Sequence, residues 1–535
     1  MVRTPSRDQF WYNFENSAQL QQNELFILDY SCSDGKNILE MTNQNKLFSF
    51  PYKWLILHEQ NEDLTANFIN LDILPDSNIV MAEYTSTHIS LYQIYKASVN
   101  NQLIIEPYGN WTINNGIIDN RESSIISRRR INLQESKITL SLVITNNDSV
   151  NNLDNYKDNH IDTITKIGYK LCNHLMDIVN ATKSYTTVPS WGYRDPKAAG
   201  GWNGMLGELN RGEADIGTSA FFTADRIPII DYITMSTPTR TRFVFRAPPL
   251  SYVSNLYVLP FGTGVWIALG LLILFMVAAL TLTGKCEIER RIGILMSLSD
   301  SLLISLGAVC QQGPSENPRN PAGRIVSLFL FVAVMFLYTS YTANIVSLLQ
   351  ARTYSIRTLK DLLHSPLELG AADTVYNRYY FTTATEPIRK AIYELKIAPK
   401  GKKAKFMTLL EGVQKIRKGF FAFQMECGPG YKLMSELFYE DEKCGLIEID
   451  YISIIDPWMP IRKRSPYKEI FKVNMFKIRE SGIQSREVAL HQTEKPKCAA
   501  STASFVSVGL LDCYFGGMLL FFGTMSYSTI YMSPS

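Results

Sequence analysis

Polar stretches with scattered apolar positions alternate along this chain with stretches that are almost wholly apolar. Val265 to Thr283 is an uncharged run of 19 residues, and Ile325 to Leu349 is a second, longer one. Both suit helices that cross a bilayer, which takes roughly 20 residues. Between them, Leu302 to Cys310 is apolar but too short to cross, and it runs into Gln311-Gln312-Gly313 and a Gly/Pro/Asn-rich turn. That length suits a re-entrant element. Irregular backbone at membrane depth is tolerated only where protein covers it or water lines it, so the glutamine tip implies an aqueous path. A last apolar block, about Gly509 to Tyr531, reads as a further spanning helix with one charge, Asp512, near its end.

The polar stretches carry the periods of an α/β protein. Trp54 to Leu57, Ile79 to Glu83 and Ile89 to Tyr95 suit strands or buried helices, Ile138 to Ile144 alternates as a strand, and Ile161 to Val179 has helical spacing. The stretch Gly201 to Tyr232, GWNGMLGELNRGEADIGTSAFFTADRIPIIDY, predicts a helix over about Asn203 to Arg211, a turn at Gly212 and a strand over Ala214 to Thr218. A second helix is predicted to open at Thr223 as its cap, with Ala224, Asp225 and Arg226 in the first turn. Free backbone N–H groups at a helix start and a guanidinium fork beside them hold a carboxylate well. Further on, Leu359 to Leu363 begins a helix, and Glu368 to Ala372 reads as a strand entering a helix start at Asp373-Thr374. Phe420 to Met425 reads as a strand with Glu426 at its end, before a Gly428-Pro429-Gly430 turn.

Length and charge narrow the function. At 535 residues the chain holds several domains, and 53 basic against 50 acidic residues, a net charge of +3, argue against nucleic acid as the partner. The basic triplet Arg128-Arg129-Arg130 reads as a solvated loop. Eight cysteines occur without a Cys-x-x-Cys, and no nucleophile elbow, phosphate loop or dinucleotide fingerprint is present, so no metal, cofactor or enzymatic activity is expected. Three glycosylation sequons, at Asn110, Asn147 and Asn180, all precede the first apolar run, which points to an extracellular N-terminal half. Lys285, Arg290 and Arg291, after that run, favour the cytoplasmic side. Met1 to Leu20 lacks the apolar core of a secretory signal, which suggests a truncated start.

The segments SLGAVCQQG (Ser305 to Gly313), PRNPAGRIV (Pro318 to Val326) and SYTANIVSLL (Ser340 to Leu349) closely resemble the pore loop and gate helix of ionotropic glutamate receptors. The flanking sequence resembles the insect chemosensory branch, the variant ionotropic receptors, in its acid-sensing subgroup. The resemblance covers about Lys137 to Tyr531. It implies a multidomain membrane protein, with a two-lobed α/β periplasmic-binding-like ligand domain split around a channel of three spanning helices and a re-entrant pore loop. The corresponding domains are a reduced extracellular region (1–130), a first ligand segment (131–259) and the channel (260–350). Within the channel lie the first helix (265–283), the pore loop (300–313) and the gate helix (325–349). A second ligand segment (351–503) and the last helix (504–535) follow.

The resemblance also assigns roles to residues. Arg226 matches the arginine that binds the ligand's carboxylate, with Thr223 three residues before it where the family has a threonine five before. Glu426 matches the acid that pairs with a ligand ammonium; a solvent-facing strand-end glutamate is the alternative. Thr374 stands where the family presents Gly-Ser-Thr to a second carboxylate, and Asp373 beside it would repel that anion, so a ligand with one carboxylate or none fits better than glutamate. Gln311 matches the residue governing calcium passage, a helix-capping amide being the alternative; Gln312 adjoins it, and Ser315 stands where several of those receptors carry a ring-forming aspartate, a role that the adjacent Glu316 takes if the register slips by one. Ser340, Tyr341, Thr342, Ala343 and Asn344 match the gate, and Cys444 and Cys498 match a disulfide pair. The function implied is a ligand-gated cation channel subunit in the plasma membrane of a sensory dendrite or cilium, opened by small organic acids or amines. It would work as a hetero-tetramer with a co-receptor. The alternatives are an odorant-binding tuning subunit that conducts only with that co-receptor, and a glutamate-gated channel.

Overall fold

The computed structural model describes residues 24–32, 34–59, 65–85, 88–156, 158, 160–248, 257–289, 297–313, 321–350, 356–440, 442–452, 455–498, 517–518 and 520–525. Three sheets and a small helical cluster organise them.

The N-terminal sheet runs in chain order: β1 (Leu25–Asp29), β2 (Lys53–Glu59), β3 (Asn78–Tyr84), β4 (Ile89–Lys96), β5 (Leu103–Thr112) and β6 (Gly116–Asp119). The first three strands are parallel and the rest antiparallel. β2 alternates buried and half-buried positions, and its Trp54 and Ile56 pack with Leu39 of α1 (Gly35–Gln44), Ile79 and Met81 into one core. The basic triplet departs from the solvated loop expected of it. Arg128 is exposed, but Arg129 donates to Glu106 at 2.7 Å, and the fully buried Arg130 donates to Glu106 and to the carbonyls of Pro75 and Ser77. Its guanidinium also lies 4.2 Å from the Tyr95 ring centroid. One carboxylate and two carbonyls facing inward at this point make a buried cation tolerable, which the triplet alone did not reveal.

The first lobe is built on β7 (Lys137–Val143), β8 (Thr182–Val188), β9 (Ile216–Gly217), β10 (Ala220–Phe222) and β11 (Ile230–Met235). Its sheet order is β10-β17-β9-β7-β8 with β11 on β17, where β17 (Ile455–Arg462) comes from far along the chain. Among the helices packed on it are α2 (Thr163–Ile178), inside the predicted 161–179, and α3 (Gly204–Arg211), capped by Gly212 at φ 76° as the turn required. The second lobe has the sheet order β14-β13-β15-β12-β16, from β12 (Thr241–Arg246), β13 (Glu368–Ala372), β14 (Phe406–Met407), β15 (Phe421–Glu426) and β16 (Leu446–Asp450). Each lobe thus borrows a strand from the other half of the sequence: β12 leaves the first segment for the second lobe, and β17 returns.

Three crossings hold the lobes together. Between β11 and β12, Ser236 N–H donates to Pro457 O at 3.0 Å and Thr239 N–H to Asp456 Oδ1 at 3.1 Å. The third crossing follows α13 (Ile483–His491), where Gln492 Nε2 donates to Pro238 O at 2.6 Å. Near the end of this crossing Cys498 is bonded to Cys444, with Cα atoms 4.8 Å apart.

The apolar runs form α4 (Thr263–Glu289), α5 (Leu298–Val309) and α6 (Pro321–Gln350). The first run therefore continues helically through Lys285 rather than ending before it. Thr263–Thr283 and Pro321–Leu348 are long and apolar enough to cross a membrane, and 11% and 17% of their most apolar windows are buried, so most of that surface is left for lipid or partners. Leu280, Ile304, Ala308, Leu330 and Val334 bind the three helices into one cluster. Residues 517–518 and 520–525 are helical; the rest of the predicted last helix and Glu316 lie outside the described residues.

Candidate functional site

Between the lobes lies a cleft of about 350 Å³ lined by Tyr193, Trp202, Thr223, Asp225 and Arg226 of the first lobe and by Tyr379, Tyr380, Thr383 to Glu386, Arg389 and Tyr451 of the second. Arg226 is 3% exposed, and two carbonyls fix its guanidinium: Nη1 donates to Phe221 O at 3.0 Å and Nη2 to Gly192 O at 3.1 Å. Gly192 is required where it stands, since its φ is +115° and a Cβ there would come within 2.6 Å of Leu206 Cβ. Carbonyl partners orient the fork without neutralising it, so Arg226 keeps its charge for an anion in the cleft.

Thr223 does not cap a helix. Residues 224 to 229 form successive turns, because Pro228 lacks the N–H that a helix beginning at Ala224 would need. The consequence favours ligand binding. Thr223 Oγ1 is buried with no hydrogen bond inside the protein while its residue lines the cleft beside Arg226, which leaves a hydroxyl for an incoming oxygen.

Thr374 does cap a helix, α8 (Val375–Thr382), accepting from Asn377 N–H at 3.4 Å, but it lines neither this cleft nor the smaller cavity below. Asp373 is bound by Arg378 at 2.6 Å and 2.9 Å, so the repulsion expected of it is largely offset. What α8 brings to the cleft is its tyrosines. Tyr379 lies 4.4 Å from Tyr193 across the lobes, Tyr376 lies 5.9 Å from Trp191, and Phe221 meets both Tyr376 (6.1 Å) and Tyr380 (6.2 Å) edge-on. Burial raises the phenol of Tyr193 against the pull of Arg226, and raises that of Tyr380 to about 12. Tyr193 and Tyr380 are therefore neutral phenols at physiological pH. None of these rings was singled out from the sequence, where an aromatic beside apolar neighbours reads as core.

Glu426 ends β15 as expected, but the Gly428-Pro429-Gly430 segment is the first turn of α11 (Cys427–Leu437) and not a free turn. Proline is accepted there because first-turn N–H groups have no helical partner. Glu426 Oε1 accepts from Thr239 Oγ1 at 3.0 Å in a cavity of about 10 Å³, lined also by Ser219, Thr241, Phe221, Tyr376, Trp191 and Pro457. Desolvation raises its carboxyl to about 7, the Thr239 hydrogen bond pulling the other way and the charge of Asp162 adding to the rise.

In the helical cluster Gln311 closes α5 with a left-handed φ of 59°, and its N–H donates to Ala308 O; Gln312 N–H donates to Gly307 O at 2.7 Å. The gate-motif residues lie on α6. Tyr341 Oη donates to Tyr257 O at 3.0 Å and Asn344 Nδ2 to Pro260 O at 3.2 Å, so this helix is tied to the segment entering α4, while Ser340 and Ala343 are exposed and Thr342 half-buried. All three sequon asparagines are exposed, although Asn180 Nδ2 donates to Asn132 Oδ1 at 2.9 Å.

Comparison with known proteins settles the class to which this cleft and these helices belong. Residues 262–514 match the ligand-gated ion channel family, and residues 8–145 match the N-terminal domain of ionotropic receptor 75a. The chain belongs to the ionotropic glutamate receptor superfamily, in its insect ionotropic receptor branch. It is similar to ionotropic receptor 75a of Drosophila sechellia, with 23% identity over 90% of this chain and 81% of that one. With ionotropic receptor 75a of Drosophila melanogaster it shares 24% identity over 94% and 84%. Over 53% of the chain it is 26% identical to a probable glutamate receptor of Gallus gallus, covering 59% of that protein. Family membership makes this a membrane protein and a ligand-gated channel receptor, not an enzyme. Among the described residues no group of three or more His, Cys, Asp or Glu is placed to hold a metal.

Proposed function

We propose that this insect ionotropic receptor is a chemosensory, cation-conducting channel subunit opened by a small organic acid bound between its lobes. The observation that carries this reading is Arg226: a buried guanidinium, held by the carbonyls of Phe221 and Gly192, at the wall of a cleft of about 350 Å³ beside the unpartnered hydroxyl of Thr223. A site of this size suits a small molecule. Aromatic pairs across the lobes supply a reason for ligand to favour the closed cleft, and each 1.4 kcal/mol of that preference shifts the closed-to-open ratio about tenfold. Closure then pulls on α4 and α6 and separates the gate helices Ser340 to Asn344, while α5 re-enters the membrane to place Gln311 and Gln312 at the pore with Glu316 nearby. Four subunits enclose the pore, this chain assembling with a co-receptor in the sensory membrane. Glycans at Asn110, Asn147 and Asn180 would mark the outer side.

Co-expressing the chain with a co-receptor and recording acid-evoked current tests this. An inward cation current that Arg226→Ala removes is the expected result. Current from the chain alone would remove the co-receptor requirement, and acid-evoked current unaltered by Arg226→Ala would overturn the ligand site. A current evoked by glutamate at lower concentration than by monocarboxylates would favour the glutamate-gated alternative.

A further inference from the structure

Arg226 and Glu426 match the two charged residues that in related receptors face one ligand, yet here they face two separate cavities. The cleft of about 350 Å³ and the cavity of about 10 Å³ share no lining residue. What lies between them is aromatic. The ring of Phe221 meets Tyr380, which lines the larger cleft, and Tyr376, which lines the smaller cavity. Trp191 packs on the other side of Tyr376 at 5.9 Å. The carbonyl of Phe221 accepts from Arg226, so the residue that screens Glu426 is also a part of the arginine's cradle.

We propose that Phe221, Tyr376 and Trp191 form an aromatic partition that closes Glu426 off from the cleft, and that this partition excludes ligands carrying an ammonium group next to their carboxylate. The inference rests on the ligand site proposed above and deepens it. The smaller cavity has room for about a single water molecule and no more. Its walls provide the partners such a water needs: the carboxyl of Glu426, and Ser219, whose Oγ is fully buried and makes no hydrogen bond within the protein. With its carboxyl raised to about 7 by desolvation, Glu426 is protonated about half the time near neutral pH and is a poor counter-ion for an amine. Two rings of the cleft already have a cation beside them, since the guanidinium of Arg226 lies 6.0 Å from the Tyr193 centroid and that of Arg389 lies 5.6 Å from the Tyr451 centroid. The other acid without an ion pair among the described cleft residues is Asp225, which is exposed.

Propionate and alanine test the partition, because they differ by one ammonium group. Co-receptor currents and the thermal shift of the purified full chain are measured for the wild type, Phe221→Ala, the milder Phe221→Leu, Glu426→Gln, Asp225→Asn and Phe221→Ala combined with Glu426→Gln. The wild type is expected to respond to propionate at a concentration at least 100-fold below any alanine response, and Glu426→Gln to leave the propionate midpoint within threefold. Opening the partition is expected to lower the alanine midpoint tenfold or more in Phe221→Ala and less in Phe221→Leu, and the added Glu426→Gln to reverse that gain. An Arg226-dependent propionate response that Glu426→Gln abolishes would overturn the partition alone. So would a wild-type alanine response as sensitive as that to propionate, whether it depends on Glu426 or on Asp225, and so would Phe221 variants that gain nothing. The absence of any propionate effect on current and on melting in the wild type would instead overturn the ligand site, and the partition with it.

Discussion

Arg226 and Glu426 are both ionisable, one in the turns after β10 and the other where β15 meets α11, and their surroundings treat them in opposite ways. Arg226 is held by two carbonyls and opens onto a cleft large enough for a ligand. Glu426 has one hydroxyl donor and a cavity the size of a water molecule, so its charged form is disfavoured. Matching a residue to a family position therefore says little about its role until its solvation is known.

The largest expected effect comes from removing the favoured charge. Arg226→Ala should weaken the acid response by up to about 100-fold, the loss of a charge-assisted pair worth up to about 3 kcal/mol. Arg226→Lys should recover only part of it, because a lysine cannot reproduce a fork held by two carbonyls. Concentration–response curves in co-expressing cells check both, and equal potency of Lys and wild type would show that the cleft needs a charge but no geometry.

A smaller effect is expected at the aromatic wall. Tyr193→Ala removes the contact with Tyr379 at 4.4 Å, and such a pair is worth about 1 kcal/mol, so the acid midpoint should rise by about five- to tenfold while Tyr193→Phe stays near wild type. A Phe variant as weak as Ala would place the effect in the phenol and not in lobe packing.

On the Glu426 side the contrast is read through pH. Its folded carboxyl titrates at about 7 against an ordinary value of 4.5, so the folded state holds the proton more tightly than the unfolded chain. The stabilisation this provides is complete below about pH 4.5 and is lost as pH rises through about 7. Stability of the purified chain should thus fall across that window by on the order of 3 kcal/mol, and Glu426→Gln should flatten the slope. An unchanged slope in Glu426→Gln would mean that the carboxyl is hydrated after all and the contrast with Arg226 is lost. The smallest expected change is Thr239→Val. Losing the hydroxyl that supports the carboxylate should move the same transition upward by less than about one pH unit, with no effect on acid potency.

How much could be foreseen differs between the two halves of the molecule for a physical reason. Local periodicity was enough for α3 and its Gly212 cap, for β13 with its limits at Glu368 and Ala372, and for the two long apolar helices, because each depends on residues adjacent in sequence. It failed at Thr223, where Pro228 prevents the helix, and at Gly428 to Gly430, where a helix begins on residues that usually mark turns. It also failed at Arg130, which is buried because Glu106 and two carbonyls from other strands converge on it.

From residues alone came the two long apolar helices, the resemblance of residues on α6 to a gate segment and the candidate arginine, since apolar length and a run of specific residues need no partner to be read. Only the folded chain decided what surrounds that arginine. Tyr193 and Tyr379 are 186 positions apart in number yet 4.4 Å apart in space, and Glu426 meets Thr239 only because β12 and β15 pair across the channel insertion. Burial, and with it the charge state of a carboxyl or the free face of a ring, is a property of such long-range contacts, and no stretch of sequence carries it.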